Sequence, residues 1–302
     1  VFSCLFIVGS TGFVVGQDSK IAMTPEMTRL VRGNNAFAFD LYQVMGTTKG
    51  NLFFSPYSIS NAFGLIYAGA REGTASELAK TMHFEIPPDK LHPSFEKLAQ
   101  LHGNRSYQLR MVNGLWGDKE FPFSSDYRRL AQTKYNAEVQ TFDFQKDPKK
   151  ARDEINRLIS TRSNGKFKEA IGSDQVTPKT KFIQTNLILF SSHWYYDFSE
   201  EKTKEEEFHT RSEKPKISIM NHKLTLKYHE TNTFQITELP LGQFDASMIL
   251  ILPKKVRELS LIERSIDEKL LVEFDDKKKY AQVTLKLPKF QFTTPTNLQQ
   301  VL

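Results

Sequence analysis

The sequence predicts an α+β chain, and three observations carry that prediction. Helical spacing of apolar residues dominates the first half, and strand-like apolar runs dominate the second. Neither half shows the regular strand–helix–strand alternation of a doubly wound protein. The third observation is composition. Hydrophobic residues make up 39% of the 302, with 24 phenylalanines, enough for a sizeable core and too many for a disordered chain. At this length one compound domain or two small ones are both open. No internal repeat, low-complexity tract or linker divides the chain.

Taken in order, residues 1–16, VFSCLFIVGSTGFVVG, carry no charge and are mostly apolar. As a helix they would span about 24 Å, short of a bilayer crossing. Val14 and Gly16 suit the minus-three and minus-one positions of a signal-peptidase site, which would leave Gln17 as the mature end. The segment reads as a signal peptide lacking its initiator methionine and basic start. The one cysteine, Cys4, falls inside it, so cysteine usage says nothing about redox compartment. An ordinary buried segment is the alternative.

Thr24-Pro25 can cap a helix whose apolar positions run Met27, Leu30, Val31, Phe37, Leu41, Met45. Leu52-Phe53-Phe54 reads as a short strand. Ser55-Pro56 then caps a helix with Ile59, Ala62, Phe63, Ile66 and Tyr67 on one face, and a second helix is expected after the break at Arg71–Thr74. Residues 89–102 suit a further helix ending near Gly103-Asn104. Tyr107 to Trp116 alternates as a strand. Asp147-Pro148 opens a helix carrying Ala151, Ile155, Leu158 and Ile159, which Asn164-Gly165 should stop. Phe182 to Phe190 reads as a long strand, and from residue 233 strands dominate: FQITELP, ASMILILP, AQVTLKLPKFQF.

Catalysis finds little support. There is no GxSxG elbow, phosphate-cradling glycine loop or HExxH, and the seven histidines form no i, i+4 pair, so no catalytic residue, cofactor or metal site is assigned. The net charge of +6 gives a mildly basic surface without a basic–aromatic stripe, which argues against nucleic acid. Polyanion binding is only weakly supported by scattered lysines such as Lys149, Lys150 and Lys277 to Lys279. The single Asn-x-Ser/Thr sequon is Asn104-Arg105-Ser106, in a polar stretch suited to a surface glycan.

The wording of several segments resembles one family. FFSPYSIS followed by GAREGTASELAKTMHF, over residues 53–84, is similar to the serpins. EINRLISTRSNGKF at 154–167, NLILFSSHW at 186–194, TKEEEFHT at 203–210, ISIMNH at 217–222, ELP at 238–240, SMILILP at 247–253 and LPKFQFTTPTNLQQVL at 287–302 follow in that family's order. Departures are Ser191-Ser192 where a Lys-Gly pair is usual, and Leu158 and Ser163 where tryptophan and threonine are common.

The resemblance implies a serpin fold over residues 17–302, with a large central sheet, and a monomeric secreted inhibitor of serine endopeptidases, with cysteine proteases as a further target class. It implies no enzyme activity, no cofactor and no membrane or nucleic-acid partner. In such proteins an exposed loop is cut as bait and inserts into the central sheet before the acyl-enzyme hydrolyses. The gate for that insertion would involve Ser55, Ser58 and Asn186, with Trp194 packing near the insertion point. Plain capping by Ser55 and plain burial of Asn186 are the alternatives. The stretch ending at Leu302 is expected to stop before the reactive loop and the closing strands. A non-inhibitory serpin, a carrier, chaperone or storage protein, is the alternative function.

Overall fold

The computed structural model describes residues 4–5, 22–46, 50–210 and 213–292. Most of the expected signal segment and everything from Thr293 onward lie outside them.

Helix α1 (Pro25–Met45) begins as its sequence predicts: Thr24 Oγ1 accepts from Met27 N at 3.3 Å, and Pro25 occupies the first turn, where its missing N–H leaves nothing unpaired. Its stripe of Met27, Leu30, Phe37, Leu41 and Met45 is buried. Against it pack α2 (Pro56–Gly69), α3 (Glu72–Thr81), α4 (Pro88–His102) and α5 (Ser125–Tyr135). Leu65, Leu91, Phe95 and Leu115 close the centre of this helical layer. Among the described residues Leu52–Phe54 joins no strand ladder; Leu52 and Phe54 turn onto the core while Phe53 faces outward. The alternation is real, but it reflects packing on helices rather than pairing.

Strand β2 (Gln108–Asp118) runs parallel to β3 (Glu138–Phe142) and antiparallel to β4 (Phe182–Ser191), in the order β3-β2-β4. Helix α6 (Pro148–Arg162) is capped by Asp147, whose carboxylate accepts from Lys150 N at 2.9 Å. It lays Ile155 and Ile159 on Trp116 and Phe144. It stops where Asn164 and Gly165 take φ of 55° and 74°.

A six-stranded sheet follows. It contains β1 (Cys4–Leu5), β5 (Lys204–Glu207), β6 (Lys216–Glu230), β7 (Phe234–Leu241), β8 (Ala246–Pro253) and β9 (Lys279–Pro288). The order is β1-β8-β7-β6-β5, with β9 also pairing β6. Leu224, Leu226, Leu239, Met248, Leu250, Leu285 and Leu287 form its apolar layer. Two helices, α7 (Leu259–Ser265) and α8 (Glu268–Lys277), interrupt the stretch that strands dominate. Each is short and buries few side chains: Leu259 and Ile262 in α7, Phe274 in α8. The mixture of helices and sheets is the expected α+β class.

Candidate functional site: a polar seam between helix and sheet

The seam starts with the cap of α2. Ser55 Oγ accepts from Ser58 N at 3.3 Å, which satisfies one of the amides left orphaned at a helix start. One residue on the same turn then faces the sheet. The Ser58 hydroxyl donates to Asn186 Oδ1 on β4. Asn186 lies directly opposite Asn113 in the β2–β4 register, so both side chains leave the sheet on one face. Asn186 Nδ2 donates to Asn113 Oδ1 at 2.5 Å. Asn113 Nδ2 in turn donates to Asn61 Oδ1 at 3.1 Å and to the Tyr135 carbonyl at 2.8 Å. Asn61 follows Ser58 by three residues, hence the same face of α2. A parallel tie joins Gln184 Nε2 to the Ala62 carbonyl at 2.7 Å.

Burial makes these bonds matter. Ser58, Asn61 and Asn113 are 9%, 2% and 3% exposed, so an unmatched donor or acceptor there would carry its full desolvation cost. Tyr135 anchors the far end. Its hydroxyl meets His92 Nδ1 at 2.6 Å, and burial pushes the phenol pKa well up and the imidazole down to about 4. Both groups stay neutral at ordinary pH. The seam is therefore an uncharged relay without a nucleophile–base pair. Its chemistry is holding: it fastens β4, which ends the three-stranded order, to the helix beneath.

Of the residues singled out in sequence, the structure brings together Ser58 and Asn186. Ser55 touches only the helix start among the bonds described. Trp194 and Asn104 lie elsewhere. Trp194 makes an isolated antiparallel bridge with Leu241 and packs edge-on to Phe198, 5.7 Å between centroids, on the apolar layer of the six-stranded sheet. Asn104 is exposed beyond α4. Sequence reasoning missed Asn61 and Asn113 as members of the seam. A signal existed for Asn113: it is an amide inside the apolar run Met111-Val112-Asn113-Gly114-Leu115, which demands buried partners.

The profile of the family described as Serpin (serine protease inhibitor) matches residues 32–302. The chain belongs to the serpin family. Among curated serpins it is 31% identical over 284 residues to an uncharacterized serpin-like protein of Methanosarcina acetivorans, covering 90% of this chain and 66% of that one. It is 31% identical over 278 residues to the leukocyte elastase inhibitor of Xenopus tropicalis, covering 88% and 74%. With mouse antithrombin-III the figures are 29% over 303 residues, 95% and 65%. The chain thus spans just under two thirds of the length of the archaeal relative. Two solved structures share the serpin fold. Ovalbumin from emu superposes with a TM-score of 0.84 at 23% identity, covering 90% of this chain and 76% of that one. Reaction loop cleaved lamprey angiotensinogen gives 0.83 at 26%, covering 91% and 83%.

Proposed function

We propose that the whole protein is a secreted, monomeric inhibitor of serine endopeptidases that works as a suicide substrate. In this reading a protease acylates itself on an exposed loop, the loop is cut, and the freed strand adds to the sheet beside β4 before deacylation, distorting the trapped enzyme. The observation that carries the reading is the polar seam under β4. A strand held to the helix beneath it by neutral hydrogen bonds can shift over that helix in steps, because water takes over each released bond for a net cost of about 1 kcal/mol. The shift makes room for a new strand at its open side. Ser58, Asn186, Asn113 and Asn61 are then the gate, with Ser55 as the cap that orients Ser58. Trp194 packs the end of the chain leaving β4. Names among the relatives, a leukocyte elastase inhibitor and an antithrombin-III, support a protease as partner.

The deciding experiment incubates the full-length protein with a panel of serine and cysteine proteases. A complex that survives denaturing electrophoresis, and a marked rise in heat resistance once the loop is cut, are the expected results. Cleavage with neither result would favour the carrier, chaperone or storage alternative. Export is tested separately by mass spectrometry of the secreted N-terminus: a start at Gln17 is expected, which would remove β1 from its place beside β8, and retention of Cys4 would overturn the signal reading.

A further inference from the structure

Two exposed rings stand beside the sequon. Tyr195 and Phe244 are 45% and 59% exposed, with centroids 3.8 Å apart. Tyr195 points out because its neighbours Trp194 and Tyr196 turn onto the apolar layer. Phe244 sits in the turn joining β7 to β8 with φ of 67°, a conformation that a bulky residue keeps only when its surroundings impose it.

The residues on either side of Phe244 are held by the serine of the sequon. Ser106 N and Oγ donate to the two carboxylate oxygens of Asp245 at 2.7 and 2.5 Å, and Gln243 N donates to Ser106 Oγ at 2.7 Å. Gly242, at φ of 58°, leaves the space that Ser106 Oγ fills; a Cβ there would lie 2.0 Å from it. The segment 104–106 is thus stapled to the turn that carries Phe244. Asn104, two residues and at most about 7 Å of chain from Ser106, is exposed. Its Nδ2 donates to the Gln100 carbonyl at 3.1 Å, and an amide nitrogen has a second hydrogen to lose.

We propose that an N-linked glycan on Asn104 packs its first sugars over the Tyr195–Phe244 pair, which serves as a carbohydrate platform. The electron-rich ring faces attract sugar C–H groups, and the contact removes two exposed apolar surfaces from water. Attachment transfers the sugar from a polyprenyl diphosphate donor. The anomeric C–O bond to diphosphate breaks, a C–N bond to Asn104 Nδ2 forms, and the amide proton leaves. In the folded chain the Ser106 hydroxyl is engaged by Asp245 and Gln243, so transfer precedes docking of the turn, which then closes beside the sugar. The inference rests on the export reading above.

The test uses full-length protein secreted from eukaryotic cells, as wild type, as the Tyr195→Ser/Phe244→Ser double variant, and as Phe244→Gly. The last removes one ring while relieving the backbone, which keeps a folded comparison. Peptide mass spectrometry should find Asn104 occupied. Endoglycosidase release under native conditions should be about fivefold faster in the double variant, with Phe244→Gly between, as expected for loss of a contact worth roughly one aromatic pair. An unoccupied Asn104 overturns the platform and weakens the export reading with it. An occupied site with equal release rates overturns the platform alone.

Discussion

Helix α2 meets the three-stranded sheet through Ser58, Asn61, Asn113 and Asn186, whereas strands β6 to β9 share a layer of Leu224, Leu226, Leu239, Met248, Leu250, Leu285 and Leu287. The apolar layer is buried and the seam largely so, yet they resist separation differently. An apolar layer loses about 25 cal/mol for each Å² returned to water, and nothing replaces that loss as the layer opens. Polar partners exchange one hydrogen bond for another, so their net cost is small provided no group is left bare. On the proposed mechanism, the sheet that has to part is fastened by amides and the sheet that serves as scaffold by leucines.

The largest effect should come from the scaffold. Leu239 is fully buried, and Leu239→Ala should cost on the order of 2–5 kcal/mol from lost transfer energy plus a residual cavity. Urea denaturation of the full-length protein should show a lower midpoint with no polymer and no loop-inserted form. If this variant polymerises on mild warming, the distinction between the two interfaces fails.

Acid comes next. His92 is 5% exposed, and its pKa is pushed down to about 4 by burial against Tyr135 and the Tyr67 ring. His102 is held to about 4 by burial and by Arg105, and it meets the Tyr107 hydroxyl at 2.7 Å. An unfolded chain would protonate both near 6.5. Between 6.5 and 4 the unfolded state therefore binds more protons, so stability is intact above pH 6.5 and declines as pH falls toward 4. Each histidine contributes up to about 3 kcal/mol to that decline, about 1.4 per pH unit. Because Tyr135 also holds Asn113, acid loss should appear at the seam first, as faster amide exchange in β4 than in β7. His92→Phe should flatten the pH profile by one histidine's share.

Cutting the seam itself is the third test. Asn186→Leu leaves Ser58 and Asn113 with unmatched groups, and Asn113→Leu strands Asn61, Asn186 and the Tyr135 carbonyl. Each should cost about 1–3 kcal/mol. The loss should emerge as polymers or a loop-inserted form on mild warming, read by native electrophoresis. Simple destabilisation without either species would make the asparagines ordinary core residues.

How much of this was legible beforehand follows from how each signal arises. Thr24-Pro25 and Asp147-Pro148 announced their helices because capping is local chemistry, read within four residues. Helix α5 is also capped, by Ser124, but no apolar stripe follows the cap: it buries only Ala131 and Tyr135, and the rest of SDYRRLAQTKY faces outward or partly so. Helix α7, at seven residues, is too short to display a stripe, and α8, though capped by Asp267, lies in a stretch whose neighbouring apolar runs read as strands. In the seam, Ser58 and Asn186 were reached through a family resemblance. Asn61 and Asn113 were not, because their pairing depends on the β2–β4 register and on where α2 crosses it. Such contacts join residues 52 and 73 positions apart, so the apolar run around Asn113 could mark a buried amide but not name its partners.

The smallest expected effect concerns Ser55, and it sharpens the comparison within the seam itself. Its hydroxyl oxygen accepts from Ser58 N and makes no described bond to Asn186, so its contribution is that of a helix cap. Ser55→Ala should therefore cost about 1 kcal/mol in urea denaturation, the usual value for losing a serine cap. Ser58→Ala deletes the donor to Asn186 Oδ1 and leaves that oxygen without this partner, so it should resemble Asn186→Leu on warming. If the two serines behave alike, giving equal yields of polymer, then the cap and the gate act as one unit and Ser55 belongs in the gate after all. If only Ser58→Ala yields polymer, the gate begins one turn into α2, at the first side chain that reaches across to β4.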